Sequence, residues 1–318
     1  MSELEVYLGI DTSCYTTSVA FMDRQANLVG ESRQILKVHE GKCGLQQSEM
    51  VFQHTRNLPE MITNAMPPGA KIIGVCASGY PRPLPDSYMP AFLVGAGLAR
   101  SVSVLNNIPL WLISHQENHL LAGKWSAGGP EDERFLFLHA SGGTTDLLTA
   151  EKDGSGGYKL TEIGGSIDLH AGQFIDRIGV SLGLQFPAGP ALEKFAGAAA
   201  GPVELPVSVK GCKASLSGPA TAAERKLAAG EDPAGIALGV QKVLAETFYR
   251  LIYNACSEYN TKSVLIAGGV ASNTYIREYL HNKLTGRKIS LWHPQARFSC
   301  DNASGCAAFA VLKGEKSV

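Results

Sequence analysis

The chain has 318 residues and a formal net charge of −1 at pH 7. Hydrophobic residues make up 45% of it and charged residues 18%, which is typical of a globular protein that can bury a core. The balanced charge excludes an overall basic field that would draw the chain to nucleic acid or anionic lipid, although a local patch could still bind RNA.

The seven cysteines are scattered and include no CxxC pair. This pattern argues against a zinc knuckle and against a secreted disulfide framework. The N-terminus does not resemble a secretory signal, and no apolar run approaches the ~18 residues of a membrane helix. These features predict a cytoplasmic protein that does not bind a membrane.

Two segments share one plan, in which a turn of small residues lies between two β-rich runs. They are VYLGIDTSCYTTSVAFMD (Val6–Asp23) and FLFLHASGGTTDLLTAEKD (Phe135–Asp153), and each predicts a hairpin. The residues between them predict a helix, a strand, a helix and a strand, over Ser48–Met66, Lys71–Ser78, Ala91–Leu105 and Pro109–Ser114.

Helical spacing of apolar residues continues after the second hairpin, first near Phe174–Leu182 and then over Ile236–Ile252. Ser263–Asn273 predicts a buried strand that runs into a glycine turn and a new helix. A final helix is expected after Asp301, whose carboxylate would cap it. Mixed strands and helices with a duplicated hairpin indicate an α/β protein of two similar lobes, with the turns of both lobes facing one crevice.

Three turns have the composition of a phosphate-binding loop: GIDTS (Gly9–Ser13), SGGTTD (Ser141–Asp146) and AGGVASN (Ala267–Asn273). Glycine lets backbone N–H groups approach an anion, and hydroxyl groups such as those of Ser13 and Thr144 add donors. Asp11 could hold Mg²⁺ through water. Three such turns favour a nucleotide site over three ordinary tight turns.

SHQENHLLAG (Ser114–Gly123) places His115 and His119 four residues apart, on one face of a helix. A peptidase of the HExxH type needs glutamate directly after the first histidine, but Gln116 stands there and Glu117 follows. The best third ligand is Asp301, and two histidines with one carboxylate suit Fe²⁺ or Zn²⁺. The alternative is a pair of surface or helix-capping histidines.

With these pieces in this order, the chain resembles the TsaD family of tRNA threonylcarbamoyladenosine synthases, in the superfamily of actin-like ATPases and sugar kinases (ASKHA). The resemblance covers nearly the whole chain. The segments that carry it are GIDTSCYTTSVA, SHQENHLLAG, HASGGTTDLL, GGSIDLHAGQFIDRIGVSLGLQFPAGPALEKFA, LIAGGVASNTYIR and SCDNASGCAAFA.

The resemblance implies a two-lobed fold with a central nucleotide cleft: residues 1–112 joined by the C-terminal helix 300–318, and residues 113–299. It implies one divalent metal (Fe²⁺ or Zn²⁺) on His115, His119 and Asp301. Together with the three turns, it implies contacts to an adenine nucleotide or acyl-adenylate from Asp11, Ser13, His139, Ala140, Ser141, Gly142, Gly143, Thr144, Asp176, Gly189, Gly268, Gly269 and Asn273.

The implied reaction moves a threonylcarbamoyl group from threonylcarbamoyl-adenylate to the amine of adenosine 37 in tRNA. Protein partners of the threonylcarbamoyl system, or a homodimer, are implied as well. The chain departs from the family at Tyr15, where a catalytic aspartate is usual, so no catalytic residue is assigned. It departs again at Thr144 (usually histidine), at Pro219 (usually lysine) and in the proline-rich stretch Ser78–Pro90.

These departures describe a divergent paralogue and leave three functions open. The first is threonylcarbamoyl transfer to tRNA. The second is carbamoyl transfer from a carbamoyl-adenylate to a small-molecule or protein acceptor. The third is a non-catalytic nucleotide-binding partner of the true synthase. Peptidase activity is not expected, because the catalytic glutamate is missing.

Overall fold

A computed structural model describes residues 3–13, 15–38, 44–154 and 156–315. Its strands are β1 Glu5–Asp11, β2 Thr16–Asp23, β3 Leu28–Ile35, β4 Lys71–Tyr80, β5 Leu110–Ser114, β6 Arg134–Ala140, β7 Thr145–Lys152, β8 Tyr158–Ser166, β9 Ser208–Lys210, β10 Lys213–Ser215, β11 Ser263–Ala267 and β12 Ser290–Trp292. Its helices are α1 Gln47–Ala65, α2 Phe92–Asn106, α3 His115–Ala127, α4 Ala171–Ser181, α5 Gly189–Ala196, α6 Ser217–Ala228, α7 Pro233–Glu258, α8 Thr274–Thr285, α9 Ala296–Ser299 and α10 Ser304–Glu315.

The chain divides into two compact units. The first contains Met1–Gly128, Lys152–Tyr158 and Asp301–Val318, and the second contains Gly129–Glu151 and Lys159–Cys300. The sequence placed the boundary at 112/113. The contacts place it after Gly128, so α3 and its histidines belong to the first unit together with α10.

In the first unit the strand order is β3-β2-β1-β4-β5. Strands β1, β2 and β3 pair antiparallel, and β4 and β5 add in parallel. Strand β1 is almost wholly buried because α10 packs against it, and apolar side chains of β1 and β4 form the core with Leu58 and Met61 of α1. The buried residues of α1 recur at helical spacing, as expected for an amphipathic helix.

The sheet of the second unit repeats this order. Its strands run β12-β11-β6-β7-β8-β10-β9. Read from β8 to β12, the order β8-β7-β6-β11-β12 is equivalent to the order β3-β2-β1-β4-β5 of the first unit. Strands β6 and β7 form the second antiparallel hairpin, and β11 and β12 add in parallel. The long helix α7 is buried along most of its length, because it packs against α5, α6 and α8. The duplicated hairpin predicted from the sequence is therefore confirmed.

The start of the last helix differs from the sequence prediction. Helix α10 begins at Ser304, and Oδ1 of Asn302 accepts its first N–H at 2.9 Å, so the expected cap at Asp301 was wrong. Within the residues described, none of the helices combines the length and apolar character needed to cross a membrane.

Candidate functional site

The start of α3 is fixed by its own sequence. The Ser114 hydroxyl accepts the Glu117 backbone N–H at 3.1 Å, and the Glu117 carboxylate accepts the Ser114 N–H at 2.7 Å. This reciprocal capping box satisfies two N–H groups at the helix start. It also engages the Glu117 carboxylate in holding the start of the helix.

His115, His119 and Asp301 converge in the first unit, as the sequence predicted. Nε2 of His119 lies 3.1 Å from Nε2 of His115 and 3.2 Å from Oδ1 of Asp301. The third side of this triangle, from Nε2 of His115 to Oδ1 of Asp301, measures 3.6 Å. The side chain of His119 is buried, while those of His115 and Asp301 retain 15% and 25% exposure. The triangle therefore keeps one side accessible.

The size and chemistry of this triangle fit a single transition-metal ion. A point equidistant from the three atoms lies about 2 Å from each, which is the bond length that Zn²⁺ makes to histidine and carboxylate ligands. Three protein ligands that share one accessible side would leave coordination positions for a substrate. These residues could hold such an ion, and their histidines are not the surface pair of the alternative interpretation.

Asp11 is a polar neighbour of this triangle. Its Oδ1 lies 3.4 Å from Nδ1 of His115, and its Oδ2 accepts the Ser13 hydroxyl at 2.7 Å. Both Asp11 and Ser13 are fully buried. A magnesium ion held by Asp11 through water stays a prediction. In this structure the carboxylate of Asp11 lies beside the imidazole of His115 and can orient it.

The surroundings shift the pKa values of the three side chains in different directions. Burial lowers the pKa of His115, but the carboxylates of Asp11 and Asp301 outweigh it and raise the pKa above its usual value. Burial and the adjacent His115 lower the pKa of His119. Burial favours a higher pKa for Asp301, but the hydrogen bond from His119 and the charge of His115 lower it. Two carboxylates beside two imidazoles would balance the charge of one divalent cation.

The glycine turns of the second unit lie at the carboxyl ends of neighbouring strands. Ala267 of β11 pairs with His139 of β6, so the two turns that follow these strands are adjacent. Gly268 has φ +110°, and an added Cβ there would lie 2.1 Å from the Ala140 carbonyl oxygen. Adjacent carboxyl ends of parallel strands are where open α/β sheets bind ligands.

The turn Ser141–Thr144 closes through a hydrogen bond from the Ser141 N–H to the Thr144 carbonyl, at 2.8 Å. Gly142 and Gly143 are exposed, and a Cβ added at either would meet nothing within 4 Å. The first turn of α4 abuts this loop, because an added Cβ at Gly172 would lie 2.4 Å from the Cα of Gly142. An anion could approach the open side of this loop.

The remaining predicted nucleotide contacts have structural partners of their own. Asp176 accepts the Ala188 N–H at 2.7 Å, next to Gly189 at the start of α5, and burial raises the pKa of Asp176. Asn273 caps α8 through Oδ1 and donates Nδ2–H to Gln241 at 3.1 Å. His139 is buried and stacks on Phe137 at 5.7 Å. Gly269 lies on the exposed side of its turn.

The departures from the family pattern are structurally ordinary. Tyr15 packs against the small apolar cluster of Leu36, Met50 and Ala91. Pro219 lies in the first turn of α6, where proline removes no helical hydrogen bond. Cys14 lies outside the described residues. The sequence missed two features, the contact of Asp11 with His115 and the buried amide of Asn118, because neither residue belongs to a recognisable pattern of ligands.

The chain is similar to known proteins over most of its length. The profile of TsaD, described as tRNA N6-adenosine threonylcarbamoyltransferase, matches residues 88–308. A tRNA N6-adenosine threonylcarbamoyltransferase of Nitrosomonas eutropha is 28% identical over 316 residues, which is 96% of this chain and 91% of that protein. A probable bifunctional tRNA threonylcarbamoyladenosine biosynthesis protein of Methanothermobacter thermautotrophicus is 26% identical, over 96% of this chain and 55% of that protein.

Solved structures share the fold at low sequence identity. HypF of T. kodakarensis superposes with a TM-score of 0.61 at 14% identity, over 99% of this chain and 48% of that chain. A ROK family glucokinase of Streptomyces griseus, in complex with glucose and AMPPNP, gives a TM-score of 0.53 at 12% identity, over 98% and 99% of the two chains. The chain therefore has the fold of actin-like ATPases and sugar kinases, as the sequence predicted.

Proposed function

This chain belongs to the TsaD family of tRNA N6-adenosine threonylcarbamoyltransferases, and we propose that it transfers a threonylcarbamoyl group from threonylcarbamoyl-adenylate to the exocyclic amine of adenosine 37 in tRNA. The observation that carries the proposal is the triangle of His115, His119 and Asp301 in the first unit. In a member of this family, a ligand set with an accessible side supports group transfer rather than a purely structural role.

The triangle would hold one divalent metal, Fe²⁺ or Zn²⁺. When bound, such an ion acts as a Lewis acid on a coordinated oxygen and orients the substrate that carries it. The protein contributes the geometry. Capping by Ser114 and Glu117 fixes the start of α3, and Asp11 restrains the ring of His115, so both Nε2 atoms face Asp301.

The glycine turns of the second unit would bind the adenylate phosphate. In the turn Ser141–Thr144, and in the turn at Gly268 and Gly269, backbone N–H groups and hydroxyls can donate to phosphate oxygens. The same donors would stabilise the negative charge that develops on AMP as it leaves. The open space beside Gly142 and Gly143 supports this assignment.

The proposed step forms one C–N bond and breaks one C–O bond and one N–H bond. The amine nitrogen of the adenosine attacks the carbamoyl carbon, and the bond from that carbon to the phosphate oxygen of AMP breaks. The amine gives up one proton to solvent, and AMP leaves with the electron pair of the broken bond. No base is assigned at Tyr15, whose side chain packs against the apolar cluster of Leu36, Met50 and Ala91. Catalysis would then rest on orientation, charge stabilisation and the good leaving group.

A reconstitution assay tests this proposal. The purified protein is loaded with Zn²⁺ or Fe²⁺ and incubated with threonylcarbamoyl-adenylate and tRNA, alone and with the threonylcarbamoyl-system proteins of its own organism. The tRNA is then digested to nucleosides and analysed by mass spectrometry. We expect threonylcarbamoyladenosine from the native protein and none from His119→Ala, because that variant lacks one of three metal ligands.

Two results would overturn the proposal. The first is a metal-loaded protein that forms no modified nucleoside with or without those partner proteins. The second is consumption of the adenylate without any change in the tRNA, which would indicate carbamoyl transfer to another acceptor. If His119→Ala forms the modified nucleoside as well as the native protein does, the activity stands but does not depend on the metal site.

A further inference from the structure

Asn118 lies on α3 between the two histidines and is almost fully buried, at 1% exposure. Its side chain makes two long-range hydrogen bonds. Nδ2 donates to the carbonyl oxygen of Asn302 at 2.6 Å, and Oδ1 accepts the backbone N–H of Cys306 at 2.8 Å. Only one orientation of the amide provides a donor to the first group and an acceptor to the second.

Both partners of Asn118 belong to the segment that carries Asp301. Asn302 is the next residue in the chain, and Cys306 is in the first turn of α10. The first N–H groups of a helix have no partner within the helix. Asn302 satisfies the N–H of Ser304 from within the segment, and Asn118 satisfies that of Cys306 from another helix.

The backbones of α3 and α10 are in close contact at this point. A Cβ added at Gly305 would lie 2.0 Å from the carbonyl oxygen of Asn118 and 2.8 Å from the backbone nitrogen of Ala122. The two helices therefore have little freedom to slide past each other without breaking the hydrogen bonds of Asn118. Asn118 precedes His119 in the sequence, and its partner Asn302 follows Asp301. Each residue of this hydrogen bond is therefore next to a predicted metal ligand.

We propose that Asn118 is a positioning residue for the metal site, because it ties the Asp301 segment to α3 and so holds the Asp301 carboxylate at the two imidazoles. This inference rests on the proposed metal site. Asn118 would not contact the ion or the substrate. Its contribution is the register between residues 118–119 and residues 301–302, which sets the 3.2 Å approach of Asp301 Oδ1 to His119 Nε2.

A buried asparagine could instead serve only to stabilise the packing of α3 on α10. The two roles differ in one measurable respect. A structural residue lowers the stability of the fold and leaves metal affinity unchanged as long as the protein is folded. A positioning residue lowers metal affinity in the folded protein. Residues that orient metal ligands typically change affinity by roughly 10–100-fold when they are mutated.

The test compares Asn118→Ala with Leu58→Ala in the full-length chain. Leu58 is a buried residue of α1, in a core cluster of the first unit that includes no described residue of α3 or α10. Its truncation therefore provides a loss of stability without removing a contact of the metal site. Circular dichroism identifies a temperature at which both variants are folded. Zn²⁺ affinity is then measured at that temperature by competition with a chromophoric chelator.

We expect Zn²⁺ affinity to fall roughly 10–100-fold in Asn118→Ala and to stay at the native value in Leu58→Ala. If Asn118→Ala binds Zn²⁺ with native affinity, or if both variants lose Zn²⁺ affinity equally, the inference is overturned but the metal site is not. A native protein that binds no Zn²⁺ would overturn the metal site and the inference together. If Asn118→Ala fails to fold, Asn118→Ser replaces it, since a hydroxyl is too short to bridge both groups.

Discussion

The turn between β1 and β2 and the turn between β6 and β7 occupy equivalent places in two sheets of the same strand order. In the first turn, Asp11, Thr12 and Ser13 are fully buried. The Thr12 hydroxyl donates to the Ala91 carbonyl at 2.9 Å, and Asp11 faces His115. In the second turn, Gly142 and Gly143 are exposed.

The comparison shows that the same strand–turn–strand arrangement can either support a metal ligand or leave its turn open to an anion. The side chains of Asp11, Thr12 and Ser13 are engaged with groups of the protein, so these residues can support a metal ligand but offer few free donors to an anion. The second turn has no side chains at its glycines, and its backbone is open to a ligand. A sequence match to a phosphate loop does not distinguish the two cases, because the outcome depends on what packs against the turn.

The largest expected effect is on the metal site of the first unit. His115→Ala and Asp301→Ala should each abolish stoichiometric metal binding, because two remaining ligands hold a divalent ion weakly. Elemental analysis of the purified variants measures the effect. His293→Ala is the matched control, since His293 is a histidine of the second unit. Unchanged metal content in either ligand variant would refute the assignment.

A smaller effect is expected when the first turn alone is changed. Asp11→Asn should weaken Zn²⁺ binding by about 10–100-fold, because Asp11 restrains a ligand without being one. Glu5→Gln, at the opposite end of the same strand, changes an exposed carboxylate that pairs with Arg24 and should leave affinity unchanged. Chelator competition compares the two variants. Equal affinity of Asp11→Asn and the native protein would mean that the first turn does not support the site.

Much of the fold could be predicted from the sequence because its signals are local. Hairpin alternation, helical spacing and glycine turns located nearly every long element, and the spacing of His115 and His119 placed them on one helix face. The ordered motifs then identified the family. These signals depend on residues within about one turn or one strand of each other.

The missed features depend on contacts across the chain. Asp301 appeared suited to cap a helix, yet Asn302 holds that role, and the difference of one residue frees Asp301 to face His119. Asn118 reaches Asn302 over a separation of 184 residues. Nothing in the local pattern of either segment encodes that pairing. Helix α3 likewise joins the first unit by packing on α10, a contact between residues far apart in the sequence.

Substitutions at Gly143 and Gly268 test whether the exposed turn Ser141–Thr144 binds phosphate while the adjacent turn at Gly268 serves the stability of the fold. Gly143→Ala should leave stability unchanged, because its φ is not positive and no atom lies within 4 Å of the added Cβ. It should nevertheless weaken AMP binding several-fold, because the methyl group occupies the anion's approach. Gly268→Ala should instead cost roughly 1–3 kcal/mol of stability, since it forces a strained backbone against Ala140. Thermal unfolding and calorimetric titration with AMP separate the two effects, and unaltered AMP affinity in Gly143→Ala would argue against a phosphate at this turn.

The smallest expected effect is on the stability of the fold at low pH, and it comes from a carboxylate of the second unit. Asp168 in the second unit accepts the Ser215 hydroxyl at 2.6 Å and the Leu216 N–H at 2.9 Å. Partial burial favours a higher pKa, but these hydrogen bonds outweigh it and lower the pKa of Asp168 to about 2. An unfolded aspartate titrates near 3.9.

Below about pH 4 the unfolded chain therefore takes up a proton that the folded chain takes up only near pH 2, so the stabilisation from Asp168 is present above that window and lost within it. Asp168→Asn should show a shallower fall in unfolding temperature between about pH 4 and pH 2 than the native protein, with a small loss at neutral pH. Calorimetric scans across this range, with Asp132→Asn as a second-unit carboxylate control, measure the difference. If both variants follow the native curve, the hydrogen bonds of Asp168 do not contribute to acid stability, and the prediction is refuted.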